Sequence, residues 1–433
     1  MNFTEDQILA LAPDDASKKS GKEQANPSKW SNTGIDEKSL WGECQGSGKN
    51  PYRTQVDLAN IAFKCSCPSR KFPCKHGLGV LLLYCRERSL FAAKDSPAWV
   101  KEWMDKREEK AEKKQEKTDK PVDVEAQAKR QQQRLKKIDN GVEELQLLIN
   151  DIVRNGILNM PEKGPALFTN LTKRMIDAQA QGLAGMVREL AEMNYFKENW
   201  QNSFMDQLLR IYITITAFKN KETLNDNLSG EIKNLIGFTQ SPEELKQQEG
   251  LNDNWFVLGK QTVQQEQLFV QRNWLLGINS GQYALVLQFY VRSQLPELNL
   301  IPGSVVEAEL SFYRSICPYR AIIKNTDKTI SPKQITGFDN WNSLMKFEKE
   351  KYIRSPFIFE LPFFINTVSL ARLENKWFLN DVNNVSVPIV CDENKLHALL
   401  AVSGGKNFSA TLIGCEGVYE PIGIFINNNY FIL

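Results

Sequence analysis

Histidine is almost missing from this 433-residue chain, which has only His76 and His397. With two imidazoles there is little general acid–base capacity near neutral pH. Charge of one sign is also missing: 54 Lys and Arg stand against 52 Asp and Glu, for a net +2. The chain as a whole therefore exerts no global pull on nucleic acid or on a membrane surface. No apolar run approaches the length of a transmembrane helix, and the N-terminal M-N-F-T-E-D-Q lacks the basic-then-apolar layout of a secretory signal. Catalytic signatures are absent too, with no G-x-S-x-G elbow, no H-E-x-x-H and no dinucleotide fingerprint. The stretch G-E-C-Q-G-S-G-K looks like a phosphate loop but fails, because Glu43 stands where the first glycine belongs and Asn50 replaces the Ser/Thr. His397 sits in a segment that reads as a helix, and Asp381 in W-F-L-N-D reads as a turn residue. The expectation is a cytoplasmic protein that is not an enzyme.

What the chain does have is a compact cluster, C-S-C-P-S-R-K-F-P-C-K-H, holding Cys65, Cys67, Cys74 and His76. Three thiols and one imidazole are the ligand set of a tetrahedral structural zinc site. Three thiolates on a divalent ion leave a net charge of about −1, and four protein ligands leave no position open for water or substrate. Such a site shapes a small module and does no chemistry. Pro68 and Pro73 bracket the spacer and stiffen the loop that delivers Cys74. Thiols arranged as ligands also fit a reducing compartment better than a disulfide framework. Cys317, Cys391 and Cys415 are far apart and read as single small hydrophobes.

The pattern C-x-C-x6-C-x-H resembles the SWIM-type zinc finger, and the match covers Cys65, Cys67, Cys74 and His76. The flanks agree: L-W-G-E-C-Q and Y-R-T-Q-V-D-L surround the turn G-S-G-K-N-P as a hairpin would. After His76, G-L-G-V-L-L-L-Y-C-R-E-R reads as a buried helix. The [2Fe–2S] proteins of the CDGSH family also use three Cys and one His, but with wider spacing and an Asp-Gly that this chain lacks. The surrounding residues look like those of bacterial SWIM zinc-finger proteins. That resemblance implies one structural Zn2+ and a partner-binding or adaptor role, in company with MoxR-type AAA+ ATPases and von Willebrand A-domain proteins. It also implies DNA binding as the alternative. For that alternative the candidate phosphate contacts are Lys64, Arg70, Lys71 and Lys75, although Lys64, Lys71 and Lys75 also neutralise the anionic metal centre.

The predicted architecture is α+β and multidomain. An N-terminal module spans 1–104, with its motif core at 50–90 and a ββα finger. Thr4 and Gln7 form a capping box before a short helix that Pro13 ends. A charged linker, 105–122, follows; in residues 105–120 all but Ala111, Gln115 and Thr118 are charged. A helical domain covers 123–250. Its first helix places Leu135, Ile138, Val142, Leu145, Leu148, Ile149 and Ile152 at helical spacing, and its basic first half reads as a helix extending beyond its partners. A second helix runs from Leu167 to Leu190, and W-Q-N-S-F-M-D-Q-L-L-R-I-Y-I-T-I-T-A-F forms a third. The last region, 251–433, is β-rich with helical insertions, and N-S-G-Q marks one hairpin.

Overall fold

The capping box at the start of the chain is present in the computed structural model. The Gln7 backbone N–H donates to Thr4 Oγ1 at 3.3 Å and the Thr4 N–H to Gln7 Oε1 at 3.0 Å, opening α1 (Glu5–Leu9). The structure describes residues 4–46, 48, 50–58, 61–69, 71–118, 124–238, 240–265, 268–291, 299–330, 335–355, 357–358, 360–415, 417–427 and 429–433. It divides into two compact units. One is Met1–Gln115, Gln248–Phe312 and Tyr319–Leu433; the other is Glu116–Gln247 and Tyr313–Pro318.

In the first unit, α2 (Asp15–Gln24) is capped by Asp14, whose carboxylate accepts from the Ser17 N–H at 2.7 Å. Then come β1 (Trp30–Ile35), β2 (Ser39–Cys44), β3 (Tyr52–Asp57) and β4 (Ala62–Cys65), followed by α3 (Lys75–Arg86), β5 (Ala92–Ala93) and α4 (Ala98–Thr118). The strands form one sheet in the order β4-β3-β2-β1-β5. The hairpin expected around G-S-G-K-N-P is the β2–β3 pair, in register from Ser39↔Asp57 to Cys44↔Tyr52. Helix α3 is buried on nearly every side from His76 to Leu83, as its unbroken apolar run requires. The segment expected as a charged linker is helical as far as Thr118. Its Lys and Glu residues are strong helix formers.

The second unit holds α5 (Val124–Asn155), α6 (Met160–Asp177), α7 (Gln181–Ala191), α8 (Trp200–Lys219), α9 (Asp226–Ile236) and α10 (Pro242–Gln247). The single helix expected from Leu167 to Leu190 is two helices. Gln179, at φ +62°, turns the chain between them, and the next N–H, of Ala180, returns to the Met175 carbonyl at 2.9 Å. Apolar spacing on both sides of so short a turn stays nearly in phase, which hid the break. Arg134, in the basic half of α5, does not hang free. It donates to the Gly237 carbonyl at 2.7 Å and lies over the Phe238 ring, closing the end of α9.

The rest of the first unit begins with β6 (Leu251–Gln265), β7 (Leu268–Gly277), β8 (Tyr283–Val291), β9 (Val305–Phe312) and β10 (Arg320–Ile330), which close a barrel in the order β10-β8-β7-β6-β9. N-S-G-Q is the β7–β8 turn. Trp255 and Val257 fill the barrel, while Phe256 and Leu258 face outward onto Phe364, Ile413 and Tyr430. Both faces of β6 are buried, so its sequence is a solid apolar run instead of an alternation. After α11 (Trp341–Arg354), a second sheet is built from β11 (Leu361–Leu373), β12 (Lys376–Asp381), β13 (Ser386–Pro388), β14 (Phe408–Cys415), β15 (Val418–Ile426) and β16 (Asn429–Ile432), with α12 (Glu393–Ser403) inserted after β13. Its order is β13-β12-β11-β14-β15-β16.

The finger region and the barrel share one unit because they bond directly. Gln7 donates to the Pro302 carbonyl at 3.1 Å, Asn299 to the Ile61 carbonyl at 2.8 Å, and Ile301 joins the core built on α1 and α3. Asp381 is indeed a turn residue: it accepts from the N–H groups of Asn383 and Val385, and also holds the first turn of α11 through the Trp341 N–H at 2.8 Å. Among the described residues no helix is long and apolar enough to cross a membrane.

Candidate metal centre

Strand β4 ends on Cys65, and its pairing with β3 sets that residue opposite Thr54. The Thr54 hydroxyl and the Cys65 sulfur lie 3.2 Å apart in a hydrogen bond. Pairing continues one step further, with the Ser66 N–H donating to the Arg53 carbonyl at 3.0 Å and the Arg53 N–H to Ser66 Oγ at 3.0 Å. Cys67 follows directly, its sulfur within 4.8 Å of the other ligand atoms. The A-F-K-C strand was not legible in advance, since four residues carry too little pattern.

Cys74 is the N-cap of α3, its sulfur accepting from the Gly77 N–H at 3.5 Å, and His76 follows in the first turn. The positive end of the helix therefore points at the thiolate cluster. Two glycines let this helix come close enough. A Cβ at Gly77 would stand 2.9 Å from the Phe63 ring of β4, and one at Gly79 would stand 2.6 Å from Gln24 Cβ and 3.1 Å from its backbone carbon on α2. His76 is buried, its ring 5.0 Å from that of Tyr52, and its Nδ1 lies 3.7 Å from Cys65 Sγ.

All four ligand atoms of Cys65, Cys67, Cys74 and His76 lie within 4.8 Å of one another. Metal bonds of about 2.3 Å to sulfur and 2.0–2.1 Å to nitrogen give a tetrahedron with S···N edges of about 3.6 Å, so the Cys65–His76 separation already matches. The cluster's protonation fits as well. Hydrogen bonding from the Cys74 thiol draws the Cys65 pKa down to about 4, helped by His76 and Thr54. Cys74 is pushed up, first by giving that hydrogen bond and then by burial, and burial raises Cys67. A divalent cation bound by these ligands displaces the thiol protons. These residues hold one structural zinc, which when bound cross-links the β3–β4 hairpin to α3. Cys44 is close by but stays a thiol, raised to about 11 chiefly by burial.

The candidate phosphate contacts are only partly brought together. Lys71 and Lys75 line a cleft of about 680 Å3 beside the metal ligands. Lys71 is tied to Asp14 at 2.7 Å, and that ammonium, with the Ser17 hydrogen bonds, holds the Asp14 carboxyl down to about 2. Lys64 is exposed but alternates to the other side of β4 from Cys65 and lies outside the cleft. Arg70 falls outside the described residues. Lys29, Ser17, Ser20 and Gln24 also line it; none was singled out in the sequence, although Asp14 before D-A-S-K-K-S was a legible cap for α2. His397 is exposed on α12, away from these residues in sequence and outside the cleft lining.

Comparison with known families agrees with this geometry. Residues 52–85 match the SWIM zinc finger, which takes in β3, β4, all four ligands and most of α3. Residues 133–236 match the SWIM-associated four-helix bundle domain, from within α5 to the end of α9. Among curated proteins none matches the chain.

Proposed function

We propose that this chain, a SWIM-type zinc finger protein, is a non-enzymatic cytoplasmic adaptor whose finger receives a segment of a protein partner. The observation that carries this reading is the cleft beside the metal ligands. Its walls are α2 and the zinc loop, both fixed: one by the α2–α3 glycine contact, the other by four metal bonds. Hydroxyls of Ser17, Ser20, Ser28 and Ser69 line it, together with the amides of Gln24 and Gln45. Three lysines, Lys29, Lys71 and Lys75, join them, and no carboxylate appears among the described lining residues. Donors and acceptors of this kind satisfy an extended peptide backbone, and Lys29 and Lys75, which Asp14 does not hold, favour an acidic one. With four protein ligands the metal has no position left for a reacting group, so the site's work is binding. By the family resemblance, a MoxR-type AAA+ ATPase and a von Willebrand A-domain protein are the first partners to try. The test is capture by the purified chain, with and without nuclease, using wild type and Ser20→Trp, which fills the cleft. Capture of such a partner that survives nuclease and is lost in Ser20→Trp supports the reading. Capture indifferent to Ser20→Trp refutes it.

A second reading, nucleic-acid binding, draws on the same three lysines. It requires DNA retention at low salt that weakens in Lys29→Ala/Lys75→Ala and flattens its salt dependence. Since Lys71 is already held by Asp14 and Lys64 faces elsewhere, the phosphate-binding charge is small. The protein-partner reading therefore stands first.

A further inference from the structure

The four metal ligands are not equally reachable. Cys74 and His76 are each 4% exposed. Cys65 closes β4, where the Thr54 hydroxyl bonds its sulfur, and like Cys74 it stays out of the cleft lining. Cys67 is half-buried, with exposed chain on both sides at Ser66, Pro68 and Ser69, and is the one thiol among the described residues lining the cleft. That cleft, of about 680 Å3, falls within the roughly 300–1,000 Å3 of a small-molecule site. A solute that enters it meets Cys67 before either of the other two ligand sulfurs.

Reactivity at sulfur follows thiolate character and access. In the loaded site all three cysteines are thiolates, because a metal binds only the deprotonated form, and access then singles out Cys67. Cys44, close by, is wholly buried and stays a thiol, and burial also holds Cys85 and Cys391 above the usual thiol range. The cleft has a charge preference as well. Lys29, Lys71 and Lys75 line it with no carboxylate among the described lining residues. Even with Lys71 held by Asp14, two ammonium groups remain for an incoming anion. The serine hydroxyls and glutamine amides beside them suit a short peptide backbone.

We propose that Cys67 is a modification site for an acidic peptide disulfide of the glutathione kind. Its sulfur attacks one sulfur of the disulfide held in the cleft. A new S–S bond forms as the old one breaks, and the other half leaves as a thiolate that takes up a proton from water. Cys67 is thereby oxidised to a mixed disulfide and the departing half is reduced, so no further oxidant is needed. A sulfur bonded in this way is no longer a thiolate ligand, which weakens the cross-link between the β3–β4 hairpin and α3. Excess thiol reverses the step. The inference goes beyond the adaptor reading: it shares that cleft but needs no protein partner, so either can fail alone.

The test uses the full zinc-loaded chain with glutathione disulfide as the probe. Zinc release is followed with a chromogenic chelator, and adducts are mapped by mass spectrometry at low conversion. The first glutathione should appear on Cys67, with zinc leaving in step. Ser20→Trp, which fills the cleft, should slow both by about tenfold or more, as loss of access to a thiolate does, with zinc content and circular dichroism unchanged. Ala16→Trp, one turn away on the same wall, should do the same, and keeps the test valid if Ser20→Trp loses zinc. Raising salt should slow glutathione disulfide by about threefold or more and leave the neutral bis(2-hydroxyethyl) disulfide unmoved. No adduct, a first adduct on any other cysteine, or a Cys67 rate that neither cleft-filling variant changes overturns the proposal. Equal salt dependence for the two disulfides overturns its choice of an acidic one.

Discussion

Within the finger, a dozen residues from Cys65 to His76 are held by four ligand atoms, whereas the helical unit has no such cluster among its described residues and rests on side-chain packing. The finger's strand β4 has four residues, and the described residues between it and α3 form neither helix nor strand. Without a cross-link such a loop has little to set against its chain entropy. The helical unit instead nests Phe168, Phe204, Ile211 and Ile215, none of them exposed by more than a few per cent. The two regions should therefore fail in different ways and independently.

The largest expected effect is on the metal side. Cys67→Ser, or chelation of wild type, should take zinc from one per chain to none. Zinc-finger peptides draw about 10–16 kcal/mol, apparent, from the metal, so the loss should unfold the region around 52–86. Hydrogen exchange read segment by segment is the measurement: protection should collapse there and persist over 133–236. Equal loss in both would mean that the two regions are not independently held.

The converse experiment is Phe204→Ala. Phe204 is wholly buried, and its ring meets those of Phe168, Tyr195 and Trp200. Truncating a buried Phe costs about 3–5 kcal/mol, which should loosen the helical unit in a denaturant titration while metal analysis still finds one zinc. Loss of zinc in this variant would break the comparison from the other side.

The same contrast explains what was legible in the sequence. The ligand set spans twelve residues, so its spacing alone declared it; α3 declared itself by an apolar run too long for a strand, and α5 by its helical spacing. The barrel did not. Its closure depends on β10 pairing in parallel with β8, Arg320 beside Leu285, and R-A-I-I-K-N-T-D-K-T-I is too polar to announce a barrel strand. Nor could spacing show that Ile301, so distant in sequence, completes the core around α3. In the site itself the metal ligands were legible but the cleft was not, because α2 reaches the zinc loop only through tertiary packing.

A smaller effect separates the two regions by pH. Lys260 on β6 donates to the Ala10 carbonyl at 3.2 Å, and burial draws its pKa from 10.5 to about 8. A folded pKa below the unfolded one means that the unfolded chain binds more protons between those values, so stability rises as pH climbs from about 8 to 10.5. Below pH 8 the fold carries a charge it solvates poorly. Lys260→Met should therefore raise the stability of the first unit at pH 7 by on the order of 1–3 kcal/mol, with the gain shrinking by pH 10. Thermal melts of variant and wild type at both pH values would show it, and the helical unit's transition should not move. A gain equal at the two pH values would point to packing and not charge.

The smallest effect lies at the edge of the finger's core. Arg86, the last residue of α3, makes a two-pronged pair with Glu5 of α1, both contacts at 2.7 Å. The Arg86 hydrogen bond is the main cause of a lowered Glu5 pKa. Because the folded pKa lies below the unfolded one, the stabilisation is present above about 4.5 and fades as pH falls through the folded value. Both side chains are about a third or more exposed, so water and salt screen the pair to roughly 0.3–1 kcal/mol. Arg86→Met, which keeps most of the aliphatic stem, should cost no more than that at pH 7, and less once acid protonates Glu5 in the folded chain. Zinc content should be unaffected, because α1 meets α3 at the end away from the ligands. A larger loss, or one that persists in acid, would mean that Arg86 acts through packing, and that the metal and the apolar core are less sufficient for this region than the contrast with the helical unit implies.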